Sequence, residues 1–136
     1  MVRTIFLLLL IIKLASSSPL FCEYHLNITD YTCFLSIDNP SGGDSFTSIS
    51  GNHLPGFTDL HVTVVEIRGE TPLIPQIICK LFRNTQRMHI HVMHAVSITN
   101  TSFSNCGQLF QLTSFLTTMV SVSGGAFANN QLLNFI

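Results

Sequence analysis

The stretch Thr101-Ser102-Phe103-Ser104-Asn105-Cys106-Gly107-Gln108-Leu109 has two echoes in this 136-residue chain, at Lys80–Met88 and Gly125–Leu133. The three segments align on Phe82, Phe103 and Phe127, which stand 21 and 24 residues apart, each followed two places on by Asn84, Asn105 or Asn129. Eight residues before the anchors come Ile74, Ala95 and Met119; five before come Ile77, Ile98 and Val122; six after come Met88, Leu109 and Leu133. Apolar positions recurring in register at a period in the twenties mark a stacked solenoid, in which each coil buries its apolar side only against its neighbours. Such an architecture offers a surface for binding rather than a catalytic cleft.

Outward from the anchors, the coil between Phe82 and Phe103 is three residues shorter than the next. The shortfall is placed between the anchor and the following strand. That sets a register: Met88 and Ile90 correspond to Leu112 and Ser114 as inward residues, and a slip of one residue would exchange buried for exposed positions. Upstream, Leu60, Val62, Val64 and Val65 are mostly β-branched and alternate with polar residues, predicting a strand through Ile67 and a turn over Arg68–Pro72. Asp38–Asp44 and His53–Gly56 read as surface turns. The last repeat reaches Leu133 and Ile136 and stops where its strand should begin. On this reading the open end after Ile136 exposes Phe135 and the core behind it, which favours end-to-end self-association or the behaviour of a truncated fragment without independent function.

Residues 18–58 lie outside the repeat and are expected to cap its first coil, with residues 59–136 forming the coils. Residues 1–17 read as a secretory signal peptide: Arg3, the apolar stretch Ile5–Ile12, then the small residues Ala15, Ser16 and Ser17. Cleavage is expected after Ser17. An uncleaved anchor or buried helix is the alternative, although no stretch reaches the roughly 18 apolar residues of a membrane span. The expected localisation is therefore extracellular, with no transmembrane span. Export makes disulfides the natural state of the four cysteines. Cys22 and Cys33 would staple the cap. Cys79 and Cys106 fall in adjacent coils, so either they bridge or Cys106 is a buried free thiol. Asn27-Ile28-Thr29 and Asn100-Thr101-Ser102 are N-glycosylation sequons in predicted turns.

Composition narrows the function. Charged residues make up 10% of the chain, against about 25% in an ordinary domain. Without the leader, four basic residues face seven acidic ones and no basic cluster remains. Nucleic acid is excluded as a partner, because its recognition depends on Lys and Arg at phosphates. Ser41-Gly42-Gly43-Asp44-Ser45 lacks the G-x-S-x-G turn of a hydrolase nucleophile, and no phosphate loop, dinucleotide fingerprint or other cofactor motif is present.

Ile74-Pro75-Gln76-Ile77, Phe103-Ser104-Asn105-Cys106-x-x-Leu109-x-x-Leu112 and Ala126-Phe127-Ala128-Asn129-Asn130 resemble the N-terminal portion of extracellular leucine-rich repeat proteins of the secreted type common in arthropods. The resemblance covers about residues 59–136, and the Cys22–Cys33 segment looks like that family's N-terminal cap. It implies an α/β-type solenoid with short parallel strands, mostly loops and 3-10 turns on the convex side, and a disulfide-stapled cap. It also implies a non-enzymatic recognition, adhesion or receptor role. Where the family has a central strand leucine this chain has Ser114, and where it has a ladder asparagine it has Met93 and then Thr117. Coils so altered are expected to be less stable than regular ones.

In such a fold the outward residues of successive strands form one concave face. Here that row is Thr63, Glu66, His89, His91, Thr113 and Phe115, with His89, His91, Thr113 and Phe115 as the expected ligand face for an extracellular protein. Phe115 either faces the ligand or turns inward to fill the space beside Ser114. The competing chemistry is a zinc-dependent enzyme using His89-x-His91-x-x-His94, since alternate strand residues share a face and zinc accepts imidazole nitrogens. Against it, His94 falls in the next turn and no carboxylate lies near to orient the rings. No metal site is assigned.

Overall fold

The computed structural model describes residues 19–92, 96–115 and 120–135. The predicted leader over 1–17 lies outside them, as do Met93, His94, Ala95, Thr117, Met119 and Ile136.

The chain opens with a hairpin, β1 (Leu20–Leu26) and β2 (Tyr31–Asp38), paired antiparallel along its whole length. Its inward residues Leu20, Cys22, Cys33, Leu35 and Ile37 are buried, and Phe21, Glu23, Phe34 and Ser36 take the other face. Cys22 and Cys33 are disulfide-bonded across the pair, their Cα atoms 5.3 Å apart. The next strands are β3 (Val64–Glu70), β4 (Arg87–Val92), β6 (Gln111–Ser114) and β8 (Asn134–Phe135). They add to β2 in chain order, each parallel to the one before, giving a six-stranded sheet β1-β2-β3-β4-β6-β8. Val64, Arg87, Gln111 and Asn134 share one register row. A second, two-stranded parallel sheet, β5 (Val96–Ile98) with β7 (Val120–Val122), is extended by a bridge from Leu73 to Ser97. Among the described residues one short α-helix, α1 (Ile77–Leu81), precedes Phe82.

The register is Met88 opposite Leu112 and Ile90 opposite Ser114. Placing the shortfall between anchor and strand therefore leads to the observed pairing. Met88 and Ile90 are buried and Leu112 is partly so, but Ser114, read as inward, is exposed. A hydroxymethyl side chain at a strand end has little to gain from the core. The last strand, expected only to begin where the sequence stops, includes Asn134 and Phe135, with Phe135 opposite Leu112.

Three further readings are corrected. The strand expected from Leu60 begins only at Val64, because Asp59–His61 forms a 3-10 turn. The Thr58 amide donates to His61 Nδ1 (3.0 Å) and the Val62 amide to the Asp59 carbonyl, so local bonds win and Leu60 is left exposed. The turn expected over Arg68–Pro72 starts late, since β3 continues to Glu70. It can do so because Gly69 adopts φ 112° where the backbone passes close to Ile37; a Cβ there would strike the Ile37 carbonyl. Finally, the pairing of Leu73 with Ser97 aligns Ile74 with Ile98 rather than with Ala95. The segment before Phe82 holds α1 where the segment before Phe103 has a turn, and the loop from Phe82 to β4 is shorter than that from Phe103 to β6.

The core lies between the two sheets. Phe82 and Phe103 are fully buried, and Phe103 stacks on Phe127 with centroids 5.8 Å apart and planes 9° from parallel. The asparagines two places after the anchors are all exposed. The buried partner is one residue further on, at Thr85, Cys106 and Asn130. Thr85 Oγ1 donates to the Phe82 carbonyl (2.7 Å), and Cys106 is bonded to Cys79 of α1. Asn130 Nδ2 donates to the carbonyls of Phe103 (3.0 Å) and Cys106 (2.8 Å), tying its turn to the preceding one. Val122, aligned by sequence with buried Ile77 and Ile98, is exposed.

Candidate functional site

Every second residue of the main sheet faces away from the core, and parallel pairing sets these residues in rows. One row holds Glu23, Phe34, Glu66, His89 and Thr113; the next holds Phe21, Ser36, Arg68 and His91. Phe115, just past β6, donates its amide to the Ile90 carbonyl (3.0 Å) and lies beside His91. The rings of His91 and Phe115 stack with centroids 4.5 Å apart and planes 9° from parallel, and Phe115 is 60% exposed. Of the two orientations open to Phe115, the outward one is observed. His89, His91, Thr113 and Phe115 thus share one face, together with Glu66.

Thr63 does not join the row. It precedes β3, its hydroxyl donates to Asp30 (3.2 Å), and its carbonyl accepts the amides of Gln86 and Arg87. Asp30 is the hub of that edge: Thr29, Thr63 and Arg87 all donate to its carboxylate. The Arg87 guanidinium, before the two hydroxyls, holds the Asp30 carboxyl below its usual range, against an opposing effect of burial.

His89 is half-buried, and desolvation lowers its affinity for a proton. Glu66 opposes that shift, while His91 and Arg87 reinforce it. Its Nδ1 is buried without a partner among the described residues. The half-buried ring of His89 thus lies beside the exposed His91–Phe115 stack, its centroid 6.3 Å from that of Phe115. Among the described residues no group of three His, Cys, Asp or Glu side chains is placed to hold a metal ion. His94, the third member of the zinc alternative, lies outside the described residues.

Two constellations escaped the sequence reading. On the same face, Phe21, Glu23, His25, Phe34, Ser36 and Arg68 line an open depression of about 370 Å³. Arg68 donates to Glu66 (3.1 Å) and lies over the Phe34 ring at 5.7 Å, and His25 meets that ring edge-on at 4.9 Å. Cys33 carries the legible signal: if it points inward, Phe34 must point outward. The second constellation is Tyr31–His53–Asp59, with Tyr31 Oη 3.0 Å from His53 Nδ1 and His53 Nε2 2.7 Å from Asp59 Oδ1. A hydroxyl, an imidazole and a carboxylate in line resemble a catalytic relay. Here, however, Tyr31 is 3% exposed and its hydroxyl already accepts the Leu54 amide at 3.0 Å. The set is a clamp that holds the segment around His53 onto the hairpin, with Tyr24 stacked on His53 at 4.0 Å. Burial, then the charge of Asp59, pushes the Tyr24 hydroxyl well above its ordinary range.

Ser41–Ser45 has no relay of its own; Asp44 accepts the Gln76 amide (3.2 Å) and ties the loop to the start of α1. No helix among the described residues is long and apolar enough to cross a membrane. No protein-family model matches the sequence, and neither a curated protein nor a solved structure matches it.

Proposed function

We propose that the chain is a secreted, non-enzymatic binding module of the leucine-rich repeat type that uses the outward face of its main sheet to contact an extracellular protein. The observation that carries this is the parallel register, which sets Glu66, His89 and Thr113 side by side and brings His91 against Phe115 on one open surface. Aromatic side chains framed by polar groups suit the centre of a protein interface. Two disulfides fit an oxidising compartment, as the leader-like first 17 residues require.

The test is binding of the mature chain to an array of secreted and cell-surface proteins. A His89→Ala/Phe115→Ala variant should lose at least about tenfold in affinity for whatever is bound, with its melting unchanged. Ser121→Arg, on an exposed residue of the smaller sheet, should bind like the wild type. Equal loss in both variants, or in neither, refutes the face as the binding surface.

A further inference from the structure

The turn joining β1 to β2 carries an apolar tip. Ile28 is fully exposed and Leu26 is more than half exposed, with Asn27 between them and its amide donating to the Asp30 carbonyl (2.8 Å). Asn27 and Thr29 are both exposed. The second sequon is built differently. Ser102 is 1% exposed, and its Oγ accepts the Thr99 amide (3.0 Å) and lies 3.2 Å from Thr99 Oγ1. The apolar residues flanking that turn, Ile98 and Phe103, are buried. One sequon therefore presents its threonine, whose hydroxyl donates to Asp30, on the surface beside uncovered apolar side chains, and the other has its serine buried and nothing apolar to cover.

We infer that Asn27 is the occupied N-glycosylation site and that its sugar covers Leu26 and Ile28. The assignment rests on the export proposed above. In the transfer, Asn27 Nδ2 attacks the anomeric carbon of an oligosaccharide held on a polyprenyl diphosphate. The C1–O bond to the diphosphate breaks, the lipid diphosphate leaves with the electron pair, and Nδ2 gives up one proton to the transferase. The first sugar, an N-acetylhexosamine, has a C–H face and an acetyl methyl that can lie over the two aliphatic side chains. The hairpin tip stands at the Leu26 and Tyr31 ends of its strands, so a glycan there leaves the row through His89 and Thr113 open.

The test expresses the full chain in a secreting eukaryotic cell, once behind its own N-terminus and once behind a foreign leader. Treating the native product with a glycan-releasing amidase should move it by one mobility step. That step is lost in Asn27→Gln and in Thr29→Ala, and kept in Asn100→Gln. The released protein should bind more of an apolar dye than the glycosylated form, and Leu26→Thr/Ile28→Thr, which preserves the sequon, should abolish the difference. Export by the foreign leader alone, with the step present, retires the export reading and leaves the assignment standing. Secreted protein without a step, or a step that survives Asn27→Gln, overturns the assignment. A dye signal unchanged by release overturns the covering role.

Discussion

The two ends of the main sheet are built by different means. At the amino end, β1, β2 and β3 are 7, 8 and 7 residues long and pair along nearly their full length. At the other end β6 has 4 residues and β8 has 2. Backbone ladders supply the order in the first region. In the second, side chains reach between successive connecting segments: the Cys79–Cys106 bridge, the Phe103–Phe127 stack, and the two bonds of Asn130 to the preceding turn. The short-strand region thus draws its order from side-chain stitching more than from its ladders.

That contrast can be broken from either side. Phe103→Ala should cost the most, about 3–5 kcal/mol in urea denaturation, because it empties a fully buried site and removes the platform for Phe127. Hydrogen exchange should then rise around β6 and β7 well before β1 and β2. Removing the disulfides comes next. Chain entropy assigns about 3.5 kcal/mol to the Cys79–Cys106 bridge, with a sequence separation of 27, and about 3 kcal/mol to Cys22–Cys33, with 11. A greater loss at the hairpin would mean that its ladder depends on the bridge and would erase the distinction drawn here.

Asp30→Asn should cost about 2 kcal/mol, since it leaves the partly buried Arg87 without its counter-charge. The pH dependence has a definite sign. The folded pKa of Asp30 lies below the unfolded value of about 3.8, so its contribution is complete above that value and disappears as pH falls through the folded one. Wild type should lose that increment in urea midpoints taken downward through pH 4, and the variant should not. The smallest effect is at His89. Its folded pKa lies below the usual 6.5, so its contribution is complete above about pH 6.5 and is lost as pH falls towards the folded value. His89→Gln should change stability at pH 7 by less than about 0.5 kcal/mol and flatten the slope below pH 6.5.

The sheet was legible where a periodic constraint acted alone. The gap between Phe82 and β4 leads to the pairing of Met88 with Leu112, and alternation along β4 puts His89 and His91 on one face. Legibility failed where short-range bonds competed with the period. His61 turns back on Thr58 and removes Leu60 from the strand, and α1 precedes Phe82 where a turn precedes Phe103, so matching on the phenylalanines aligned Ile74 with the wrong residue. It failed again at contacts between distant segments. Asp30 with Arg87, and Tyr31 with His53, join residues that nothing in the local pattern links. Of the candidate face, parity alone disclosed the histidines; the stacking of His91 on Phe115 required the fold.

The His53 clamp also guards a vulnerable boundary. Beside it, Ser50 exchanges backbone bonds with Leu20 and Cys22, and Gly51 lies so close to the Cys22 carbonyl that no Cβ fits. The outer margin of β1 is therefore closed by a loop, not by another strand. A protease cut between Gly51 and Thr58 would spare both disulfides and every strand, yet would loosen that cover. The nicked molecule would keep its strands and acquire an adhesive margin, a seed for strand-to-strand association.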